Sequence, residues 1–362
     1  MTAAARPRAA ASLPDLADGL CPTERALVGA LQLARWHKAS LVLERALGRP
    51  RGARLPPLDP ALGTSGRRWR ALADPVVRAY ARLVDLAAPH RIRQPLAQAR
   101  GNFGSPAGDP PADPVYCQAR LTAWGAAVRA GAAPGLLVNG ARDDRGTLCF
   151  APHNLGELVP ILCACVEGHP AEDALAERPL VPDFPTGGVL VAGAREVAAT
   201  GRGRLRLRAR LAELRHSDVT AIVATEIPFG VDHDDVILAA VALARAGALG
   251  GVRDVRDEST AAGTRLVFLG ARGASPRAMT AALLAHTQLE VELEVVARAW
   301  DGARIARPAL PALVAGEAAR LVERARAARP NAYVRALRRA VVAELHALGA
   351  AHADARRTEL RP

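Results

Sequence analysis

The first third of the chain carries apolar positions at helical spacing, in short stretches separated by turn residues. This pattern predicts helices near residues 23–36, 38–47 and 76–87. Residues 48–66 contain Gly, Pro and Arg without periodicity and are predicted to form a loop. Short helices separated by such turns are typical of a helix-turn-helix or winged-helix unit, whose recognition helix enters the major groove of DNA.

From about residue 134 the pattern changes to a mixture of strand and helix signals. Strands are predicted at 136–138, 187–192, 204–211, 220–225 and 265–269, and helices at 154–165, 232–246, 276–286, 311–328 and 332–348. Residues 204–211 alternate strictly between arginine and apolar residues, which predicts a strand with one buried and one cationic face. The pattern therefore predicts a mixed α/β region between two helical ones.

Composition narrows the class of protein. The chain has 362 residues, half of them apolar, so it is expected to form two domains and a helical tail around sizeable cores. It contains no run of 18 apolar residues, and its Ala/Arg-rich start is not followed by the apolar segment of a secretory signal. Its five cysteines are scattered without a CxxC pair, which favours reduced cytoplasmic thiols over a zinc site or a disulfide framework.

The formal charge of +12 is unevenly distributed. Residues 1–130 carry 19 Arg/Lys against 9 Asp/Glu, residues 131–300 carry 17 against 21, and residues 301–362 carry 12 against 6. A basic first third suits a phosphate-binding surface, because each neutralised phosphate releases counterions. Lys38 is the one lysine, however, so a compositional bias toward arginine explains the charge equally well.

The stretch Arg100-Gly-Asn-Phe-Gly-Ser105 is a glycine-rich turn, and Tyr116 follows Ser105 by eleven residues. These residues resemble the DNA-cleaving region of the type IIA topoisomerases, in the gyrase A and topoisomerase IV A family. Further stretches match that family in the same order along the chain: 13–20, 119–122 after Tyr116, 136–140, 152–157, 182–188, 200–204, 225–228, 253–259 and 286–289. A lone glycine-rich turn is weak evidence, whereas ten collinear matches are specific.

The resemblance implies an α+β multidomain fold. Its expected parts are an N-terminal arm over 1–19, a winged-helix DNA-binding domain over 20–130, a mixed α/β tower domain over 131–302, and C-terminal helices over 303–362. The last part has room for the start of the family's coiled coil and not for its dimer gate or DNA-wrapping propeller. Duplex DNA, a gyrase B-type subunit and a second copy of the chain are the implied partners, with a cytoplasmic, nucleoid-associated location. No cofactor or metal is expected in this chain, since the partner subunit would supply Mg²⁺ and ATP.

In the family, the tyrosine that matches Tyr116 attacks a DNA phosphate, so Tyr116 is the predicted catalytic residue. A free phenol has a pKa of about 10, so such a site needs cations and a base. The family places an arginine directly before the tyrosine and a His-Pro-His-Gly-Asp loop upstream, where this chain has Val115 and Leu72–Val77. Its Lys-Pro-Val-His-Arg segment appears as Cys21–Arg25, and Ala11 replaces a further arginine. Losing one such electrostatic contact commonly costs roughly 10²–10³ in rate.

The predicted DNA contacts are arginines of the basic first third and of the glycine-rich loop at 200–204: Arg25, Arg67, Arg68, Arg70, Arg100, Arg120, Arg202 and Arg204. A solvated strand face explains Arg202 and Arg204 equally well. His153 precedes the helix cap Asn154 and is predicted to be a structural turn histidine. The acidic run at 232–235 is predicted to favour the start of a helix and not to bind metal.

Three functions follow from these observations. The chain is either a topoisomerase A-type subunit that breaks and rejoins DNA through Tyr116, or a catalytically impaired relative that binds DNA or a true gyrase subunit and modulates it. A scaffold that kept the fold and lost DNA binding is the third. The basic first third coincides with the family's DNA-facing domain, which favours the first two functions over the third.

Overall fold

The structure is a computed structural model that describes residues 13–49, 75–143, 147–216, 219–260, 263–328, 339 and 341–350. Its helices are α1 Pro22–Ala30, α2 Ala39–Ala46, α3 Pro75–Ala87, α4 Ala123–Arg129, α5 Gly135–Asn139, α6 Leu155–Glu167, α7 Ala171–Glu177, α8 Ala194–Thr200, α9 His233–Arg245, α10 Pro276–His286 and α11 Leu310–Ala328. Its strands are β1 His37–Lys38, β2 Ala97–Arg100, β3 Gln118–Leu121, β4 Ala141–Arg142, β5 Leu148–Phe150, β6 Val189–Ala192, β7 Arg202–Arg208, β8 Arg210–His216, β9 Val219–Glu226, β10 Val252–Asp257, β11 Leu266–Gly270, β12 Glu290–Val296, β13 Ala299–Trp300 and β14 Ile305–Ala306.

Helices α1 to α3 share one core with a small antiparallel sheet of order β1-β3-β2. The core side chains include Leu27, Leu43, Tyr80 and Leu121, each almost fully buried. Helix α3 lies at the centre, with eleven of its thirteen residues buried. The sheet puts β3, which closely follows Tyr116, between its two neighbours.

The helix predicted over 23–36 is shorter than its apolar pattern, because α1 ends at Ala30. Leu31 is already extended, and the Gln32 carbonyl accepts a hydrogen bond from the Leu121 N–H at 3.0 Å. The chain leaves the helix to reach the sheet, so a tertiary contact overrides the local periodicity.

The strand predicted at 136–138 is wrong, because these residues lie in helix α5. The N–H of Val138 donates to the carbonyl of Pro134 at 3.0 Å, which closes one helical turn, and Gly140 then ends the helix with a positive φ. Three buried apolar residues are too few for periodicity to separate a strand from a helix.

Two sheets follow. A five-stranded sheet has the order β4-β5-β12-β7-β6, and a four-stranded sheet has the order β10-β11-β9-β8. Helices α9 and α10 pack on the second sheet and share its core. The helix predictions over 154–165, 232–246 and 276–286 are confirmed, and the Asn154 side chain caps α6 by accepting from the Gly156 N–H at 2.9 Å.

Helices α6, α7 and α11 form a separate cluster with a helical stretch at 341–350. The helix predicted over 311–328 is confirmed as α11, whereas much of the predicted 332–348 helix falls outside the described residues. None of the helices in the described ranges has the length and apolar character needed to cross a bilayer. The mixture of helices and mostly antiparallel sheets confirms an α+β fold.

Candidate nucleic-acid interface

The glycine-rich turn forms a closed loop that leads from β2 to β3. Gly101 and Gly104 adopt φ values of +98° and +85°, which side chains rarely allow. Asn102 fixes the first bend, since its Oδ1 accepts from the Gly104 N–H at 2.8 Å. Ser105 donates its hydroxyl proton to Asp109 Oδ2 at 2.6 Å, which closes the second bend. The sequence motif therefore encodes a fixed backbone shape at this point.

Hydrogen bonds connect the proline-rich segment that follows to the core of the helical region. The phenol of Tyr80 donates to the Ala112 carbonyl at 2.6 Å, and burial raises the pKa of this phenol. The Ala112 N–H returns to the Asn102 carbonyl at 3.0 Å, and the Cys117 thiol contacts the same carbonyl at 3.3 Å. The loop ends on a turn at Tyr116, whose N–H donates to the Asp113 carbonyl at 2.9 Å. The loop thus presents Tyr116 outward from a rigid base.

Tyr116 is 80% exposed, unlike the buried Tyr80 on α3. Val115 beside it is also exposed, at 47%. Single exposed apolar side chains are common on protein surfaces, so this exposure does not by itself identify a ligand. The backbone around Tyr116 is ordered by hydrogen bonds while its side chain extends into solvent, the arrangement that a residue reaching toward a macromolecule requires.

Trp36 contacts two arginines of the sheet beside this loop. The Arg100 Cζ lies 4.4 Å from the centroid of the indole ring, and the Arg120 Cζ lies 4.7 Å from it. Each pair has the geometry of a cation–π contact, worth about 0.5–1 kcal/mol at exposed sites. Arg120 is also held by Gln98, whose Oε1 accepts from the Arg120 Nε at 2.8 Å. The two guanidinium groups are therefore positioned without losing their charge.

We call Trp36, Lys38, Arg100, Arg120 and Tyr116 the Trp36 surface. Its members come together through the sheet, where Gln118 of β3 pairs with Lys38 of β1 and with Arg100 of β2. Among the residues that the structure describes, none of its three cations is within ion-pair distance of a carboxylate. Unpaired, pre-positioned cations are what a phosphate-binding surface needs.

Arg25, another predicted DNA contact, has carboxylate partners. Its guanidinium lies 2.7 Å from Asp18 Oδ1 and 3.2 Å from Asp15 Oδ2. Both acids belong to the Leu-Pro-Asp motif at 13–20, so ion pairs connect this motif to Arg25 at the start of α1. DNA would have to compete with two carboxylates for this arginine. The predicted contacts Arg67, Arg68 and Arg70 lie outside the described residues.

The arginine row of β7 is neutralised by a glutamate row on β12. The apolar side of the predicted alternation is confirmed, since Leu205, Leu207 and Ala209 are buried. The other side is not a bare cationic face, because antiparallel pairing aligns its arginines with glutamates. The ion pairs are Arg204–Glu292 at 3.5 Å, Arg206–Glu292 at 3.4 Å and Arg208–Glu290 at 2.6 Å. Of the predicted contacts in this region, Arg202 is exposed at the strand's start.

The segment Cys21–Arg25 has a structural role at the start of α1. Its Glu24 is buried, and Glu24 Oε2 accepts from the Cys21 N–H at 3.0 Å. Glu24 also lies 3.7 Å from the buried Arg82 of α3, and desolvation raises the pKa of the Glu24 carboxyl. Arg82 in turn donates to the Asp143 carbonyl and lies 3.9 Å from Asp85. Glu24 thus serves as a helix cap and a buried ion-pair partner, which is a packing function.

His153 lies in the interior, as a structural histidine would. It is 6% exposed, and its Nδ1 lies 2.9 Å from the Leu137 carbonyl oxygen. Burial lowers the pKa of its imidazole to about 4. The acidic run at 232–235 leads into α9, as its pattern predicts. In the described ranges, no three His, Cys, Asp or Glu side chains come together in a way that could hold a metal ion.

The sequence predicted Arg100, Arg120 and Tyr116 as site residues, and it did not predict Trp36, which the structure places against both arginines. The indole lies 80 residues before Tyr116 in sequence, and only the β1-β3-β2 pairing brings the two regions together. The available signal was an aromatic residue among exposed basic residues, in the stretch Arg35-Trp-His-Lys38. Aromatic residues interleaved with cations are typical of nucleic-acid contacts.

Comparison with known proteins identifies similar chains. The family model for the gyrase A and topoisomerase IV A proteins matches residues 130–307. The DNA gyrase A protein of Kosmotoga olearia is 34% identical over 311 residues, which cover 77% of this chain and 36% of that protein. The DNA gyrase A protein of Mycolicibacterium smegmatis is 30% identical over 316 residues, which cover 77% of this chain and 35% of that protein. The chloroplastic/mitochondrial DNA gyrase A protein of Arabidopsis thaliana is 31% identical over 319 residues, which cover 77% of this chain and 31% of that protein. The chain thus spans about a third of the length of these curated relatives.

Proposed function

Because the chain belongs to the gyrase A-like family of DNA topoisomerase subunits, we propose that it binds duplex DNA through the Trp36 surface. The observation that carries this proposal is the contrast between two sets of cations. Arg100 and Arg120 are stacked on Trp36 without carboxylate partners in the described part of the chain, whereas the arginines of β7 are paired with glutamates. Only the first set can exchange counterions for phosphates at little cost.

The binding is proposed to be insensitive to base sequence. Guanidinium and ammonium groups on a sheet surface contact phosphates, which position a duplex without reading it. Rigid aromatic stacking of both arginines lowers the side-chain entropy lost on binding. The expected signature is a steep salt dependence with similar affinity for unrelated duplexes.

Tyr116 is the proposed site of DNA cleavage if the chain is active. The phenolate oxygen would attack a backbone phosphorus, form a phosphotyrosine bond and release the deoxyribose oxygen of the broken strand. Reversal of that step rejoins the strand. A B-type partner subunit would supply Mg²⁺, which stabilises the charge on the phosphate, and would hydrolyse ATP.

The alternative is a catalytically impaired relative that modulates DNA or a true gyrase subunit. It is supported by Val115, which offers no charge beside the tyrosine, and by the packing function of Glu24. The candidates near Tyr116 in sequence for the role of the family's arginine are Arg100 and Arg120, and Arg120 already matches another arginine of the family. We propose that supercoiling or relaxation is at most trace, even with a B-type subunit, Mg²⁺ and ATP.

The proposed organisation is a winged-helix domain over 20–130, a tower-like domain over 131–302 and C-terminal helices after it. It is supported by the separate cores on either side of residue 133. A homodimer and a cytoplasmic, nucleoid-associated location are proposed from the family alone.

A covalent trapping assay separates the active subunit from the modulator. The protein is incubated with a B-type partner, Mg²⁺ and end-labelled duplex, denatured with detergent, and examined for label attached to protein. Intact DNA binding without an adduct supports the modulator. A robust adduct that disappears in Tyr116→Phe would establish a cleaving subunit, and absence of any duplex binding would refute the DNA-binding proposal itself.

A further inference from the structure

A cleft of about 420 Å³ lies beside the loop that follows the glycine-rich turn, which contributes Pro106 to its wall. Its walls come from the segment after α3, from the loop at Pro106, from β4 and from the start of α9. The loop is tied to α9, since the N–H of Asp234 donates to the Ala107 carbonyl at 3.1 Å. Small-molecule sites are concave and typically measure about 300–1,000 Å³, so the cleft has the size of one.

Four residues of the walls each carry a buried polar atom that has no hydrogen-bond partner in the described part of the chain. The atoms are His90 Nε2, Arg91 Nε, Thr186 Oγ1 and His233 Nδ1. Buried polar groups are rarely left unpaired, because the lost hydrogen bond to water costs free energy. His233 is 2% exposed, and its other ring nitrogen is engaged, lying 3.1 Å from Thr264 Oγ1. The residues that carry these four atoms all line one cleft, so a polar partner bound there is the ligand that would satisfy them.

The chemistry of the walls favours an anion. Arg142 is held by stacking over the Phe229 ring, with 4.6 Å from its Cζ to the ring centroid. Arg91 also lines the cleft, and its Nε is 3.9 Å from Asp85 Oδ1. Asp232 is the one carboxylate among the lining residues. Two guanidinium groups, imidazole N–H groups and a hydroxyl give an excess of donors, and oxygen-rich anions accept from such sets.

We propose that this cleft binds a small molecule bearing a phosphoryl group, with His90, Thr186 and His233 donating to its oxygens. The imidazoles are neutral at physiological pH, since burial lowers the pKa of His90 to about 4 and also lowers that of His233. They therefore serve as uncharged donors between the two guanidinium groups. The bound anion would connect α9, the segment after α3 and the loop that leads to Tyr116. This proposal does not depend on DNA binding by the Trp36 surface.

Calorimetric titration of the full chain with inorganic phosphate, at constant ionic strength in chloride, tests the site. We expect saturable binding to one site. Thr186→Val removes the orphaned hydroxyl at nearly constant shape, so it should fold as well as the parent and bind phosphate at least tenfold more weakly. Thr280→Val on α10 is the matched control, because Thr280 does not line the cleft. Absence of saturable binding, or equal affinity in the two variants, would overturn the proposal.

A second arm identifies the source of the phosphoryl group. The titration is repeated with a saturating duplex oligonucleotide present. If the cleft takes a small molecule, DNA leaves the phosphate affinity unchanged and Thr186→Val leaves DNA affinity unchanged. The opposite result is that DNA displaces the phosphate, and that Thr186→Val weakens duplex binding by the same factor as it weakens phosphate binding. In that case the cleft holds a backbone phosphate of DNA, and the small-molecule proposal is wrong.

Discussion

The guanidinium of Arg100 lies 4.4 Å above the indole of Trp36, and this contact joins a residue of the glycine-rich region to one 64 positions earlier in the chain. Arg120 is stacked on the same ring at 4.7 Å. One aromatic residue thus positions two cations near the exposed Tyr116, and the proposed DNA interface depends on it.

Trp36→Ala should weaken duplex binding while leaving both arginines in place. Losing the two stacking contacts frees the guanidinium groups, so affinity should fall by roughly 5- to 30-fold, given about 0.5–1 kcal/mol for each of the two contacts. Trp36→Phe keeps an aromatic face and should recover part of the loss. Fluorescence anisotropy with a labelled duplex measures all three proteins. Equal affinity in parent and Trp36→Ala would show that the ring has no part in binding.

The sequence predicted the parts of this interface that are local. The glycine-rich turn and Tyr116 form a continuous motif, and helix α6 with its cap at Asn154 follows from adjacent residues. Trp36 and the glutamates that neutralise Arg204 and Arg208 could not be found that way, because strand pairing sets their contacts. The misassigned helix α5 has a different cause, since three apolar residues carry no periodicity of their own.

Gly104→Ala should destabilise the protein. Gly104 has a φ of +85°, and an added Cβ would lie 2.9 Å from the Asp109 carbonyl oxygen. Strain of this kind costs about 1–3 kcal/mol, which chemical denaturation resolves. Gly29→Ala on α1 is the control, because a Cβ there meets no atom within 4 Å and should be neutral or stabilising by up to about 1 kcal/mol. A Gly104→Ala protein as stable as the control would show that the loop tolerates another shape.

Arg82→Met should destabilise the protein more strongly. Arg82 is 3% exposed and lies between the buried carboxyls of Glu24 and Asp85. Removing one partner of a buried ion pair typically costs about 3–5 kcal/mol, because the remaining charges lose their compensation. The double variant Arg82→Met with Glu24→Gln should regain part of that loss. Denaturation curves that leave the single variant within about 1 kcal/mol of the parent would contradict the importance of this cluster.

Stability should fall as the pH is lowered from about 6.5 toward 4, in part through His153. Burial lowers the pKa of this imidazole to about 4, so the unfolded chain binds a proton in this window and the folded chain does not. The stabilisation is therefore complete above the unfolded pKa and is lost as the pH falls through the folded one. His153→Asn keeps a donor toward the Leu137 carbonyl and should flatten this part of the profile. An unchanged slope in His153→Asn would show that another group is responsible for this part of the profile.

The salt dependence of duplex binding tests the central claim most directly. The logarithm of the association constant is measured against the logarithm of salt concentration for the parent, for Arg100→Gln with Arg120→Gln, and for Arg204→Gln with Arg206→Gln. We predict a steep slope for the parent, and a slope smaller in magnitude by about 1.8 for the first double variant, because each lost phosphate contact removes about 0.9. The second double variant should keep the parent slope, since its arginines are paired with Glu292. An unchanged slope in the first double variant, or an equal reduction in both, would contradict the assignment of DNA binding to the Trp36 surface.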